Sequence, residues 1–263
     1  MSVRAAIKNG VVTLTLSNPG KLNCLTDAMG KQFASIVASI SHSGRLHDEA
    51  VRAVVLTGED PAFSSGGDMD FLKERIRTPF QENVKTMRSF YGQFLSMRSL
   101  RVPLIAAVNG VAIGAGLCLA CAADIRIVEK NTRLGLTFTS LGLHAGMGAT
   151  HILPRVVRRD VAMYLLQTGA VISGQEALDY GLALKVVEGS QNVVREAQAM
   201  GEQIAKGGPD SVGMVTQTLR MQVDGDGLEQ ALEREAVCQA TSYASQEYAE
   251  RLQATINRIS QKK

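Results

Sequence analysis

The sequence predicts an α/β core that ends in a subdomain made only of helices. Three observations carry that expectation. Strand-like apolar runs alternate with amphipathic helical patterns up to about residue 187, as in a sheet covered by helices. From Asn192 onward the period is helical throughout. Between these lies Pro103 to Asp124, PLIAAVNGVAIGAGLCLACAAD, which joins a buried strand to a turn and an apolar helix. The chain has 263 residues, 45% of them hydrophobic, enough for one large core.

Each element has its own signal. Val11 to Leu16 alternates and is β-branched, so it reads as a strand. Asn18-Pro19-Gly20 is a turn. Thr26 can cap a helix from Asp27 to about Ser41, with Met29, Phe33, Ile36, Val37 and Ile40 on its apolar face and Ser43-Gly44 at its end. Val51 to Thr57 is an almost unbroken apolar strand. Gly58 to Asp68 is a loop of small residues. After a short helical piece, a helix from about Gln81 to Arg98 presents Val84, Met87, Tyr91, Phe94 and Leu95.

The central stretch resolves into a strand, Leu104 to Val108, a turn at Asn109-Gly110 and an extended piece, Val111 to Ile113. Gly114-Ala115-Gly116 then opens a helix over Leu117 to Ala123. Ile125 to Val128 and Arg133 to Leu136 read as strands. A Gly-rich segment, Leu141 to Thr150, leads into short helices around His151 to Arg155 and Asp160 to Gln167. Ser173-Gly174-Gln175-Glu176 is a capping box. Leu184 to Val187 is the last strand. Helices follow at about 192–206, 209–222 and 227–260, with a break near Ser245. The expected division is a core of residues 1–200 and a helical subdomain of 201–263.

Composition excludes several classes. A net charge of +3, with Lys and Arg scattered and no aromatics among them, gives no nucleic-acid footprint. No apolar run reaches the roughly 18 residues of a membrane span. The N-terminus lacks a signal-peptide pattern, and four cysteines in this length do not make a disulfide framework, so a reducing, cytoplasmic setting is expected. Cys118-x-x-Cys121 has no second pair, so no metal is expected. No G-x-G-x-x-G follows a strand with an acidic partner about 20 residues on, which argues against a dinucleotide fold. One local feature points to chemistry. A strand ending in small residues at a helix start leaves backbone N–H groups free for an anion or a developing oxyanion.

Four segments together carry a family resemblance. Ala62-Phe63-Ser64-Ser65-Gly66-Gly67-Asp68 is similar to the AF-x-x-G-x-D loop of the crotonase superfamily, the enoyl-CoA hydratases and isomerases. Asn109 to Gly116 resembles its NG-x-A-x-GGG segment. Leu141-Gly142-Leu143 through Gly146-Met147-Gly148-Ala149-Thr150, with Leu153-Pro154-Arg155, resembles its LG-x-x-PG-x-GGT…L-x-R segment. Leu166-Gln167-Thr168-Gly169 to Gly181-Leu182-Ala183 looks like its LTG…GLV signature.

The resemblance implies a spiral of ββα turns whose C-terminal helices cover the pocket and build a homotrimer or dimer of trimers. It implies acyl-CoA substrates and no separate cofactor, coenzyme A being part of the substrate. It assigns the oxyanion-binding N–H groups to Gly67 and Ala115, and places CoA against Lys21 to Leu25 and Ala62 to Asp68. The implied substrate contacts are Lys21, Leu22, Cys24, Ala62, Ser64, Gly66, Asp68, Met69, Phe138, Leu141 and Gly142.

The sequence also departs from the pattern. The two glutamates of the hydratases fall on Cys118 and Phe138, and the dehalogenase aspartate falls near Gly146. Pro61 replaces a frequent lysine. Cys118 is a candidate acid or nucleophile, because a helix N-terminus lowers a thiol pKa; the alternative is a small buried hydrophobe. His144 is a second candidate, with His151 on the far side of the Gly-rich segment. Asp68 is expected to hold its loop. Tyr243 and Tyr248 either enter the pocket or pack the helices, and Met214 and Met221 are expected in the core. Two functions follow: an atypical lyase or isomerase acting on acyl-CoA, or a non-catalytic acyl-CoA-binding or assembly subunit.

Overall fold

The computed structural model describes residues 1–224 and 227–261. Its frame is a six-stranded sheet. In spatial order the strands are β1 (Ser2–Lys8), β2 (Val11–Ser17), β5 (Ala53–Gly58), β7 (Leu104–Val108), β9 (Ile125–Glu129) and β12 (Lys185–Val187). Only the β1–β2 pair is antiparallel. A four-stranded sheet lies alongside, ordered β11 (Val171–Ser173), β10 (Arg133–Gly135), β8 (Val111–Ile113), β6 (Ala62–Ser64). A small hairpin, β3 (Arg45–Leu46) with β4 (Glu49–Ala50), follows the first helix.

The helices are α1 (Asp27–Ser43), α2 (Met69–Arg77), α3 (Phe80–Leu95), α4 (Ala115–Cys121), α5 (Ala149–Val156), α6 (Arg159–Thr168), α7 (Gly174–Asp179) and α8 (Ser190–Ala205), then α9 (Pro209–Asp224), α10 (Leu228–Tyr243) and α11 (Gln246–Ser260). The chain repeats one unit: a strand in the large sheet, a strand in the small sheet, then helix. β5–β6–α2, β7–β8–α4 and β9–β10–α5 are three such turns.

The unbroken apolar runs are explained by burial of both faces of the large sheet. Val11, Ala53, Val55, Ile105, Ala107 and Ile127 pack on Val193 and Ala197 of α8. Their alternating neighbours, including Val12, Leu14, Val54, Leu56, Leu104 and Ala106, face the main core with α1 and α3. α8 runs through residue 200, where the sequence places the end of the core.

Local signals behave as their chemistry dictates. The Thr26 side chain accepts from the Met29 N–H and Gly44 closes α1 at φ 65°. Ser173 and Glu176 form the reciprocal capping box. Two expectations fail, and some strands carry no assignment in the sequence reading. β1 was not assigned; it pairs with β2 through Asn9-Gly10, both at positive φ, a hairpin signal. β6 lies in the segment read as a loop and β11 in one with no assignment, because three-residue strands depend on partners far along the chain. Met214 and Met221 are 62% and 71% exposed, not core. α9 is instead held by Arg220, which donates to both Asp124 carboxylate oxygens and to the carbonyls of Arg98, Leu100 and Val102.

Candidate active site

The site is built where β6 and β8 end side by side. β6 runs into Gly66, at φ 93°. The Gly66 carbonyl accepts from the Leu25 N–H at 2.7 Å, and the Asp68 N–H donates to the Leu25 carbonyl at 3.1 Å. The Gly67 N–H between them makes no hydrogen bond among the described residues. β8 runs into Gly114, at φ 54°, whose N–H donates to the Gly135 carbonyl at 2.8 Å. α4 starts at Ala115, and no side chain caps it. The Ala115 N–H likewise makes no hydrogen bond among the described residues.

Two glycines allow the two ends to approach. A Cβ on Gly66 would lie 2.6 Å from the Ile113 carbonyl oxygen and 3.6 Å from the Ala115 nitrogen. A Cβ on Gly116 would lie 2.4 Å from the Ser64 carbonyl oxygen. Both contacts are closer than a side chain tolerates, so residue 67 sits beside the first turn of α4 only because these positions are bare.

Around this pair, segments 21–25 and 62–68 come together. Asp68 caps α2, its Oδ1 accepting from the N–H groups of Asp70 and Phe71 at 2.9 and 3.3 Å. Its Oδ2 accepts from Lys21 Nζ at 2.9 Å and from Cys24 Sγ at 3.3 Å. Partial burial works to raise the Asp68 pKa, but Lys21, Cys24 and the two N–H groups outweigh it and hold the carboxyl below its ordinary value. The same contact raises the Lys21 pKa. Burial, then Asp68, pushes the Cys24 thiol up to about 12. Asp68 thus holds its loop.

Ala62 and Ser64 are buried, with Ser64 Oγ accepting from the Gly66 N–H at 3.3 Å. Leu22, at φ 47°, is exposed beside them. Met69 opens α2 half-buried against the core. Phe138 is buried three residues after Gly135, and its carbonyl accepts from the N–H groups of Leu141 and Leu143. Gly142, at φ 67°, faces Glu247 and Arg251 of α11.

Of the two readings of Cys118, the structure favours the small buried hydrophobe. Burial drives its thiol well above the ordinary value, so the helix start does not yield a thiolate. Its Sγ lies 3.6 Å from the Gly146 carbonyl oxygen. All four cysteines are free. His144 is tied to α10 and to its own loop: its N–H donates to Ser242 Oγ and its Nδ1 lies 2.6 Å from the Ala145 carbonyl oxygen. His151 is buried. Tyr243 and Tyr248 pack the helices, edge to face at 5.1 Å, with Tyr248 Oη donating to the Leu72 carbonyl. Among the described residues, no group of His, Cys, Asp or Glu could hold a metal ion. No helix there is long and apolar enough to cross a membrane.

One residue escaped the sequence reading. Glu235 of α10 is fully buried. It accepts from the Gly148 N–H at 2.7 Å, the Thr150 N–H at 2.8 Å and Thr150 Oγ1 at 2.6 Å. Burial raises its pKa against these bonds. Nothing local in ALEREA marks it, because its partners lie 85 and 87 residues upstream.

A spiral of ββα turns with a helical C-terminal region defines the class: a crotonase fold. The comparisons give the family. The family model described as enoyl-CoA hydratase/isomerase matches residues 6–259. A probable enoyl-CoA hydratase of Mycobacterium tuberculosis is 36% identical over 186 residues, 71% of this chain and 70% of that protein. The 1,2-epoxyphenylacetyl-CoA isomerase of Escherichia coli is 30% identical over 249 residues, 94% of this chain and 92% of that protein. The crystal structure of an enoyl-CoA hydratase/isomerase from Pseudoalteromonas atlantica superposes with a TM-score of 0.84 at 28% identity, covering 98% of both chains. The chain belongs to the enoyl-CoA hydratase/isomerase family.

Proposed function

We propose that this protein binds an acyl-CoA thioester and stabilises its enolate with the N–H groups of Gly67 and Ala115. The observation that carries the reading is the pair of unpaired N–H groups at a junction that only bare positions 66 and 116 permit. Negative charge grows on the thioester oxygen as the α-carbon loses a proton or carbon dioxide. A fixed donor aimed at that oxygen favours the charged state over the neutral one, by about 10²–10³ in rate for each donor. The positive end of α4 adds to this at Ala115.

Cys118 and Phe138 leave no carboxylate at either hydratase position. Water addition then lacks its acid and base, each a factor of about 10²–10⁴. The reading therefore favours enolate chemistry in which solvent water carries the proton or none is removed: isomerisation or decarboxylation of an acyl-CoA, although Phe138 also replaces the single glutamate that isomerases of the family keep. The similarity to an isomerase over nearly the whole chain supports the first. CoA would lie along 21–25 and 62–68, with the Lys21 charge already shared with Asp68 and Asp70. The exposed apolar side chains of α9, including Met214, Leu219 and Met221, support assembly of the 201–263 region into a trimer or dimer of trimers.

A second reading, a non-catalytic acyl-CoA-binding subunit, is favoured by the neutral, buried Cys118. One experiment separates the two. Butanoyl-CoA is incubated with the protein in D2O, and the thioester is followed by mass spectrometry. Deuterium at the α-carbon, lost in Ala115→Pro, is the expected result. Binding without exchange, and without loss of carbon dioxide from a malonyl-type thioester, across an acyl-CoA panel supports the second reading, and absence of binding overturns both.

A further inference from the structure

α10 grips one short segment of the core with one face. Glu235, Gln239 and Ser242 stand four and three residues apart, on the same side of the helix. Glu235 takes the Gly148 and Thr150 N–H groups, Gln239 Nε2 donates to the His144 carbonyl at 2.9 Å, and Ser242 Oγ accepts from the His144 N–H at 3.1 Å. The gripped backbone is strained. Met147 has φ 59° and Gly148 φ 74°, and a non-glycine residue in that region costs about 1–2 kcal/mol unless its surroundings impose it.

The same segment touches the helix of the thioester site. Gly146 offers its carbonyl to Cys118 Sγ, and Cys118 lies one helical turn beyond Ala115 on α4. Three residues of helix rise about 4.5 Å, roughly the length of a three- or four-carbon chain. Position 146 has no room for a side chain: a Cβ there would lie 2.5 Å from Tyr91 Oη and 2.7 Å from Gln239 Nε2. Tyr91 Oη donates to Gln239 Oε1 at 2.6 Å, so these two buried groups occupy the space that a residue at 146 would fill.

We propose that α10, through Glu235, Gln239 and Ser242, holds segment 144–150 as the inner wall of the acyl pocket and so sets which acyl chains are accepted near the third and fourth carbons. The proposal rests on the thioester reading above. Glu235, Gln239 and Ser242 are positioning residues; the wall itself is the backbone at 145–147. The chemistry selected is a short, unbranched acyl group, because the backbone at 145–147, backed by Tyr91 and Gln239, meets Cys118 one helical turn beyond Ala115 and is held too firmly to yield to a branch at the third carbon.

The test is calorimetric titration of the full chain with CoA, butanoyl-CoA and 3-methylbutanoyl-CoA, for wild type, Gln239→Ala and Ser242→Ala. Wild type is expected to bind butanoyl-CoA more tightly than 3-methylbutanoyl-CoA. In Gln239→Ala that ratio falls about tenfold, the size of one misfitting methyl group, while the affinity for CoA alone stays within about twofold. Ser242→Ala moves it the same way by less, and carries the comparison if Gln239→Ala does not fold. Ratios unchanged in both variants, or parallel losses for CoA and both thioesters, overturn the proposal and leave the thioester reading intact. If wild type binds neither thioester better than CoA, both fall.

Discussion

α4 and α5 both start after a glycine, and their N-termini are treated in opposite ways. α4 follows Gly114 and, among the described residues, carries no side-chain cap and leaves the Ala115 N–H without a partner. α5 follows Gly148, also without a local cap, but a buried carboxylate from α10 closes its first turn. An exposed helix start and a buried one both need acceptors for their first N–H groups. At α5 the protein supplies its own anion; at α4 it supplies none. The difference separates a site from a joint: the open end is where a ligand's developing charge fits, and the closed end is how the C-terminal helices are fastened to the core.

Substituting each end in turn sharpens that contrast. The largest effect is expected from Ala115→Pro. Proline suits the first position of a helix and removes only an N–H that has no partner among the described residues, so the melting temperature should hardly move. α-Deuterium exchange of a bound acyl-CoA should fall by about 10²–10³. Parallel losses of stability and exchange would mean that both helix starts are joints.

Glu235→Ala should do the reverse. It leaves one buried and one half-buried N–H group and a hydroxyl without their acceptor, a cost of about 3 kcal/mol readable by urea denaturation. A loss below about 0.5 kcal/mol would show that α10 is not fastened there.

The pH dependence follows from Asp68. Its pKa is lower in the folded protein than in the unfolded chain. The stability it contributes is therefore present above the ordinary carboxylate value and lost as pH falls through the depressed one. Asp68→Asn should flatten the acid limb of a stability–pH curve below about pH 4 and leave the neutral region parallel to wild type. An unchanged acid limb would mean that the Lys21–Asp68 pair does not hold the loop.

The smallest effect is expected from Cys118→Ala. Loss of a buried sulfur costs about 1 kcal/mol, and exchange should stay within a few-fold of wild type, since the thiol is neutral and buried. Abolished exchange at unchanged stability would return Cys118 to the reaction.

The same contrast explains what was legible in the sequence. The open helix start could be read because everything that makes it is contiguous: strand, Asn109-Gly110 turn, extended piece, Gly114-Ala115. The alternating core and its covering helices could be read for the same reason, since apolar runs such as Val51 to Thr57 announce burial on both faces. Four quoted motifs carried the family. The closed start could not be read, because the residue that closes it lies on another helix, and a glutamate in ALEREA resembles any solvated charge. For Cys118 the sequence leaves two readings open, a helix-start thiol or a small buried hydrophobe, and burial by distant segments favours the second. Met214 and Met221 have core-like spacing, yet the face they form is exposed, since period alone does not say whether anything covers it.

The central claim is that the Gly67 and Ala115 N–H groups polarise a thioester carbonyl, and isotope-edited infrared spectroscopy reads that directly. Butanoyl-CoA labelled with 13C at the carbonyl is bound to wild type and to Ala115→Pro, and the carbonyl stretch is compared with that of the free thioester. The account requires a clear shift to lower frequency in wild type and a stretch displaced back toward the free value in the variant. Equal frequencies in the two bound states, or no shift in either, would contradict it.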